Sequence, residues 1–265
     1  MGEKIFQIDA FTGKPFKGNP AAVCILTRRR EDAWMQDVAR EMNLSETAFL
    51  EKRKDGFNLR WFTPAVEVEL CGHATLASAH ALWEEGLIEP GLQARFQTKS
   101  GLLTAVKGRG WIEMDFPAER ETRAPAPEGL GRALGITLGY VGKNRFDYLV
   151  EMDSEETLRG MEPDFALLDK IPARGIIVTS PSRSGVYDFV SRFFAPRVGV
   201  NEDPVTGSAH CCLAPYWAAR VGKSEMAGYQ ASARGGVVRV RVEGDRVHIG
   251  GQAVTVLRGQ LSDRC

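Results

Sequence analysis

The stretch that decides the fold is Leu70-Cys71-Gly72-His73-Ala74-Thr75-Leu76-Ala77-Ser78-Ala79-His80-Ala81-Leu82-Trp83. It carries no charged residue until Glu84, and it consists of small residues and good helix formers. A helix that is apolar on every side belongs in the interior of a domain, so the pattern predicts a buried helix over residues 73–86. Its first turn presents backbone N–H groups and a positive dipole end, which favour an anion.

A second stretch of the same kind runs from Thr206 to Ala219, and it predicts a buried helix over 207–221. Pro215 should kink this helix or remove one of its backbone hydrogen bonds. Arg60-Trp61-Phe62-Thr63-Pro64 precedes the first helix, and Arg192-Phe193-Phe194-Ala195-Pro196 precedes the second. The alternative is a chance likeness between two short matches, but order and spacing also agree. The repeat therefore predicts two similar lobes, each with strands around one central helix, whose N termini face a shared cleft.

The totals describe an ordinary globular chain. The 265 residues are 43% hydrophobic and 26% charged, with a formal net charge of zero. This balance gives no general electrostatic case for nucleic acid or a membrane surface, and the cluster at 28–30 reads as a solvated turn. No stretch approaches the length of a membrane span, and because residues 1–9 contain no apolar run we expect no secretory signal. Five cysteines, two of them adjacent (Cys211 and Cys212), do not form a disulfide framework, so we expect a cytoplasmic protein.

Alternation and apolar runs predict the remaining elements. Strands are predicted at 4–11, 21–26, 46–51, 57–63, 94–106, 110–116, 146–152, 175–179 and 187–194, with three more between 228 and 257. Helices are predicted at 31–42, 128–134 and 154–168. Prolines mark 117–127 as a linker candidate, which divides the chain into lobes of 1–117 and 118–265.

Three positions are candidates for acid/base or anion chemistry. Glu46 enters a strand among apolar neighbours, where burial would raise its pKa and make it a usable acid or base. The alternative is a solvent-facing strand residue. His73 and Ser208 each follow the glycine that opens a buried helix, so they either line an anion site or bond to their own backbone.

Acids, a thiol and metal-binding residue types lie close to the same helix starts. Glu202 and Asp203 either complement the helix dipole or hold a substrate amine. Cys71 occupies a position that lowers a thiol pKa, but its counterpart in the repeat is Thr206, which disfavours a two-thiol racemase. Cys71 and His73 could join His210, Cys211 or Cys212 at a metal, yet no metal-binding spacing is present. We therefore expect no metal, and neither a dinucleotide fingerprint nor a P-loop occurs.

Six blocks together resemble the PhzF-like phenazine-biosynthesis isomerase family. They are Ile8-Asp9-Ala10-Phe11-Thr12, the segment from Pro15 to Val23, Ser45-Glu46-Thr47-Ala48-Phe49, Arg60-Trp61-Phe62-Thr63-Pro64, Cys71-Gly72-His73-Ala74-Thr75, and Glu202-Asp203-Pro204-Val205-Thr206-Gly207-Ser208-Ala209. The resemblance implies the diaminopimelate-epimerase-like fold, which is α+β, with two pseudo-twofold-related lobes that are each a β-barrel around a central helix. It also implies a site between the lobes, a last strand that returns to the first lobe, and a homodimer.

The resemblance further implies a cofactor-independent isomerase. The glutamate that moves a proton along a dihydro-hydroxyanthranilate ring in the phenazine enzyme falls on Glu46. The substrate-contacting residues fall on His73, Asp203 and Ser208, with Ser45, Gly72, Thr206 and Gly207 beside them. In these roles the helix N termini take the substrate carboxylate, Asp203 holds its amine, and Glu46 shuttles the proton.

One departure puts the phenazine substrate in doubt. The chain has Cys71-Gly72-His73-Ala74 where the phenazine enzyme typically has an Ala-Gly-His-Pro-like stretch. We therefore expect a PhzF-like isomerase acting on a small carboxylate-bearing metabolite, with Cys71 as a secondary candidate. Two alternatives stay open: an epimerase that uses Cys71 for proton transfer, and a non-catalytic member that binds a metabolite or a partner.

Overall fold

The computed structural model describes residues 2–262. The chain forms two compact units, which we describe separately: unit 1 is Met1–Asp115 with Gly250–Cys265, and unit 2 is Phe116–Ile249. The predicted lobes were 1–117 and 118–265, of which residues 1 and 263–265 lie outside the described range. Among the described residues, no helix combines the length and the apolar character needed to cross a membrane.

The elements of unit 1 occupy both ends of the chain. Its N-terminal part contains β1 (Lys4–Ala10), β2 (Asn19–Leu26), α1 (Asp32–Met42), β3 (Thr47–Arg53), β4 (Gly56–Phe62), β5 (Glu67–Val68), α2 (Gly72–Glu84), β6 (Ala94–Thr98), β7 (Gly101–Gly108) and β8 (Trp111–Pro117). Unit 2 follows with β9 (Thr122–Arg123), α3 (Leu130–Leu134), β10 (Val141–Lys143), β11 (Asp147–Glu151), α4 (Glu155–Gly160), α5 (Phe165–Leu168), β12 (Gly175–Pro181), β13 (Phe189–Phe194), α6 (Gly207–Val221), β14 (Glu225–Gln230), β15 (Gly236–Glu243) and β16 (Arg246–Gly251). The chain returns to unit 1 at Gly250, within the last two residues of β16, and continues there as β17 (Ala253–Gln260).

Unit 1 is a mixed sheet that surrounds α2. β1 pairs antiparallel with β2 and with β17, whereas β2 and β3 are parallel and are joined through α1. β4 pairs antiparallel with β3 and parallel with β6, and β6, β7 and β8 form an antiparallel meander. The helix α2 packs against β1, β2, β3 and β17, and nine of its thirteen residues are buried. The charge-free stretch is therefore the central helix of this unit.

Close packing on α2 requires a glycine on the strand that faces it. A Cβ on Gly251 would lie 2.5 Å from Cδ1 of Phe11 and 2.6 Å from Cδ1 of Leu76. The next residue, Gln252, separates β16 from β17. Its carbonyl accepts a hydrogen bond from the N–H of Thr12 at 3.1 Å. The C-terminal region therefore contains four strands, β14 to β17, and the prediction of three strands was wrong.

A second strand prediction was also wrong. Residues 94–106 form two strands, β6 and β7, because Lys99 and Ser100 make a turn that ends at Gly101. Gly101 has a φ of +98°, a conformation that favours glycine. Apolar residues alternate on both sides of this turn, so the sequence pattern alone predicts one continuous strand.

Unit 2 also combines parallel and antiparallel pairs. β9, β10 and β11 are antiparallel neighbours, β11 and β12 are parallel, and β12 and β13 are antiparallel. β13 pairs parallel with β14, and β14 pairs antiparallel with β15. The helix α6 packs against β14 and β15, while α3, α4 and α5 help to cover an apolar cluster built on β11, β12 and β13. α6 has the predicted bounds 207–221.

The proline inside α6 is accommodated by a specific contact. Pro215 cannot donate to the carbonyl of Cys211, four residues earlier. That carbonyl accepts a hydrogen bond from the backbone N–H of Glu119 at 3.0 Å instead. The helix therefore continues past Pro215 without leaving the buried carbonyl of Cys211 unpaired.

The Arg-aromatic-Phe-x-Pro repeat has the same structural role in both units. Nε and Nη2 of Arg60 donate to the two carboxylate oxygens of Glu67 at 2.7 and 2.8 Å, ahead of α2. Nε and Nη2 of Arg192 donate to those of Glu202 at 2.7 and 2.9 Å, ahead of α6. A bidentate pair has a fixed geometry. Each arginine on a strand therefore holds the loop that leads to a central helix.

Candidate active site

Glu46 lies immediately before β3. Its backbone carbonyl accepts a hydrogen bond from the N–H of Ala22 on β2 at 3.2 Å, which fixes where the chain enters the strand. Its side chain is 19% exposed, and Oε2 lies 3.3 Å from Nε2 of His73. The solvent-facing alternative is therefore wrong for this side chain, and the carboxylate belongs to a partly buried cluster.

Cys71 and His73 reach the same cluster from the start of α2. Cys71 is the N-cap residue with extended backbone (φ −146°, ψ 110°), and His73 is the second residue of the helix. Sγ of Cys71 lies 3.5 Å from Nδ1 of His73, in a hydrogen bond whose donor depends on the imidazole tautomer. Both residues are buried, with 7% and 6% of their surface exposed. The imidazole thus has the thiol on one side and the carboxylate of Glu46 on the other.

Burial decides the charge of this imidazole. Removal of the ring from water lowers the pKa of His73 to about 4, because desolvation penalises the cationic form. His73 is therefore neutral at pH 7, with one N–H and one lone pair. A neutral imidazole can donate to one neighbour and accept from the other.

The second set of candidate residues lies at the start of α6 in unit 2. Oγ1 of Thr206 donates a hydrogen bond to Oδ2 of Asp203. Glu202 does not share this cluster, because it is paired with Arg192. Of the two adjacent acids, only Asp203 therefore stands beside the helix start, and Glu202 has a structural role.

Gln230 on β14 is a residue that the sequence reasoning missed. It is fully buried, its Oε1 accepts from the N–H of Thr206 at 2.9 Å, and its Nε2 donates to the carbonyl of Asp203 at 2.7 Å. It therefore fixes the loop that carries Asp203. A lone glutamine in a strand carries no sequence signal for this task, because its partners lie 24 and 27 residues away.

The two central helices begin in the same way. The N-cap side chains, Cys71 for α2 and Thr206 for α6, make no capping hydrogen bond. Oγ1 of Thr75 donates to the carbonyl of Cys71 at 2.6 Å, and Nδ1 of His210, at the matching position, donates to the carbonyl of Thr206 at 2.8 Å. Burial lowers the pKa of His210 to about 4. His210 is therefore a buried structural residue at a position matched by threonine in unit 1.

The predicted residues fall into two groups according to unit. Glu46, Cys71 and His73 are in contact in unit 1, and Asp203 and Thr206 are in contact in unit 2. Ser45, Gly72, Gly207 and Ser208 flank these contacts in the chain; Ser45, Gly72 and Ser208 are half-buried, and Gly207 is buried.

The geometry of the first cluster also bears on metal binding. In the described range, Glu46, Cys71 and His73 form one group in which a carboxylate, a thiol and an imidazole atom all lie within 4.8 Å of one another. The imidazole, however, turns Nδ1 toward the thiol and Nε2 toward the carboxylate. One ion cannot use both ring nitrogens, so a metal bound through one of them would replace the contact that the imidazole makes through the other. The proposed pairings with His210, Cys211 or Cys212 would need residues of the other unit.

The fold and the two buried helices define a protein of the diaminopimelate-epimerase-like α+β class. In agreement, the structure resembles the crystal structure of a probable proline racemase from Agrobacterium radiobacter, with a TM-score of 0.64 and 12% identity over 98% of this chain and 93% of that one, which bears on fold alone. The family model for phenazine biosynthesis-like proteins (PhzC-PhzF) matches residues 8–259. The chain belongs to this family, as the six sequence blocks indicated, and it is an isomerase of that family.

Two relatives place the chain more closely. It is 59% identical, over 98% of its length and 99% of the relative's, to a protein of Halalkalibacterium halodurans named an uncharacterized isomerase. Its structure matches the crystal structure of a PhzF-family phenazine biosynthesis protein from Enterococcus faecalis with a TM-score of 0.95. That protein is 40% identical, and the match covers 99% of this chain and 100% of the other.

Proposed function

We propose that this isomerase moves a proton within a small carboxylate-bearing metabolite, without a cofactor, and that Glu46 is its general acid/base. The observation that carries the proposal is the contact of 3.3 Å between the Glu46 carboxylate and the buried imidazole of His73. A partly buried carboxylate beside a neutral donor is able to take a proton from carbon and return it. His73 then orients the carboxylate and supplies or accepts a hydrogen bond at its oxygen.

The remaining predicted residues have substrate-binding roles in this proposal. The backbone N–H groups at Gly72 and Gly207 suit a carboxylate, because the N-cap side chains of Cys71 and Thr206 do not cap these helices and a helix N terminus favours negative charge. Asp203 lies at the start of α6, where Oδ2 accepts from Thr206, and a carboxylate at this position suits a substrate amine. Ser45 and Ser208 supply hydroxyl groups next to these positions. We further propose that the protein works in the cytoplasm as a homodimer.

An epimerase that uses Cys71 as a proton-transfer group is the second candidate. The contact between Sγ of Cys71 and Nδ1 of His73 favours it, because the imidazole is placed to exchange the thiol proton. A family member that binds a metabolite without turning it over is the third. The three candidates differ in whether, and through which residue, a carbon-bound hydrogen exchanges with solvent.

An exchange screen separates these candidates. Small amino and hydroxy acids are incubated with the protein in D₂O, and deuterium at carbon is detected by NMR. The proposed function predicts incorporation that is lost in Glu46→Gln and retained in Glu51→Gln, a matched change on β3. Loss in Cys71→Ala but not in Glu46→Gln would indicate the epimerase. A tightly bound compound with no exchange would indicate a binding protein.

A further inference from the structure

The cluster in unit 1 contains a thiol that the proposed reaction does not use. Cys71, His73 and Glu46 form a continuous chain: thiol, Nδ1, Nε2, carboxylate, with steps of 3.5 and 3.3 Å. Local structure fixes the order, because Cys71 and His73 are the N-cap and second residues of α2, while Glu46 enters β3. The imidazole cannot contact the thiol and the carboxylate through the same nitrogen.

The neutral imidazole is complementary to its neighbours in two protonation states. In the first, the Cys71 thiol donates to Nδ1, and the N–H at Nε2 faces the charged Glu46 carboxylate. In the second, Nδ1–H donates to the thiolate, and protonated Glu46 faces the lone pair of Nε2. Both states carry one negative charge, so passage between them moves a proton without adding charge to the buried site.

Other histidines among residues 2–262 do not share this arrangement. Nε2 of His80 lies 3.5 Å from Glu84, but that carboxylate also pairs with Arg258 and accepts from Thr255, and no thiol contacts the ring. Nδ1 of His210 donates to a backbone carbonyl. Nε2 of His248 lies 3.3 Å from Oε2 of Glu243, but that carboxylate is 69% exposed and also pairs with Arg241. Among the described residues, Nε2 of His73 is buried without a hydrogen bond of good geometry, as is Nε2 of His80 and of His210. His73 differs from both because its Nδ1 contacts the Cys71 thiol while its Nε2 faces Glu46 at 3.3 Å.

We propose that His73 relays the thiol proton of Cys71 to Glu46, which makes Cys71 a base-assisted nucleophile toward small electrophiles. In the reaction with iodoacetamide, an S–C bond forms at Cys71 and iodide leaves. The thiol proton passes to Nδ1 of His73, and the proton of Nε2 passes to Oε2 of Glu46. The biological use of this relay rests on the proposed function. Between turnovers, the same relay would carry a proton to Glu46 or away from it.

Glu46 could affect the reactivity of Cys71 either by accepting the relayed proton or through its negative charge alone. The two roles predict opposite changes in the alkylation rate of Cys71 in Glu46→Gln. If Glu46 accepts the relayed proton, its loss removes the base, and Cys71 reacts more slowly. If Glu46 acts only through its charge, its loss removes a negative neighbour, which favours the thiolate, and Cys71 reacts faster. The direction of the change therefore decides between them.

The test is alkylation of the folded protein by iodoacetamide between pH 6 and pH 9, with each cysteine followed by peptide mass spectrometry. Cys71 keeps 7% of its surface exposed, so a small reagent is used. Burial raises the pKa of Cys24 and of Cys212 to about 12, so both serve as unreactive internal controls. We expect Glu46→Gln to slow modification of Cys71 at pH 7 about tenfold or more. His73→Asn should have the same effect, and Glu51→Gln should have none.

Faster modification in Glu46→Gln, or no modification of Cys71 in the folded wild-type protein, would overturn the relay. A second measurement does not depend on the variants: ¹⁵N NMR of the histidine rings should find His73 neutral at pH 7, and an imidazolium there would also overturn it. Neither experiment uses a substrate. Failure of the relay therefore leaves the deuterium-exchange test of Glu46 intact, and failure of that exchange leaves the alkylation result standing.

Discussion

The pair of Arg192 and Glu202 offers a prediction that can be worked from the structure. Their side chains are only 10% and 19% exposed, and the guanidinium forms two hydrogen bonds with the carboxylate. Nη1 also donates to the carbonyl of Met161 at 2.7 Å. Removal of one member of a buried pair leaves an uncompensated charge, and we therefore expect Arg192→Met to lower the free energy of unfolding by about 3 kcal/mol.

The double variant Arg192→Met with Glu202→Met removes both charges together. Replacing a buried pair by apolar side chains is often neutral, so it should cost less than Arg192→Met alone. The interaction energy from the double-mutant cycle should reach about 2 kcal/mol. The exposed pair of Arg40 and Asp37, at 57% and 71% exposure, is the matched control, and Arg40→Ala should cost less than about 0.5 kcal/mol.

Urea unfolding at pH 7, followed by circular dichroism and tryptophan fluorescence, measures Arg192→Met, Glu202→Met, their combination and Arg40→Ala. A loss of about 3 kcal/mol corresponds to a fall in melting temperature of about 6–12 °C for a chain of this size. If the double variant loses as much stability as the two single variants combined, the charges do not interact as described, and the structural reading of the repeat is refuted.

Three further predictions concern packing, positioning and pH. Gln230→Leu should cost about 2 kcal/mol, because two buried backbone groups lose their partners, and stability unchanged in urea melts would contradict this. Gly251→Ala should cost about 1–3 kcal/mol by forcing a Cβ against Phe11, whereas Gly160→Ala, which meets open space, should be near neutral by the same measurement. His210 takes a proton near pH 4 when folded and near pH 6.5 when unfolded, so the unfolded state binds more protons between these values and stability falls as the pH is lowered through that window. The slope of unfolding free energy against pH reports how many more protons the unfolded state binds than the folded state. His210→Gln should reduce that number by up to about one in this window, and an unchanged slope would contradict the assignment.

The two central helices could be predicted because their signal is local. A helix without charged residues from Gly72 to Trp83 is stable only in the interior of a domain. The second charge-free run predicts a helix over 207–221, and the structure has a helix with those bounds. The repeated arginine motif was also visible in the sequence. The ion pairs that these arginines form could not be predicted, because the partner glutamates lie 7 residues away in one unit and 10 in the other.

Other features depend on contacts that a single sequence does not display. Gln230 and the carbonyl of Cys211 acquire their roles only when β14 and residue 119 are folded beside α6. The contact between Glu46 and His73 joins positions 27 residues apart. Residue types and the family resemblance therefore identified the acid/base candidate, whereas the imidazole between thiol and carboxylate emerged only from the folded chain.

In the proposed reaction, Glu46 exchanges a proton with a carbon of the substrate. The most direct measurement is a crystal structure of Glu46→Gln with a bound compound that the wild-type protein labels in D₂O. We expect the labelled carbon to lie about 3–3.5 Å from the side chain of residue 46, the separation of groups poised to react. A labelled carbon that lies beyond reach of residue 46 and against Sγ of Cys71 would contradict it.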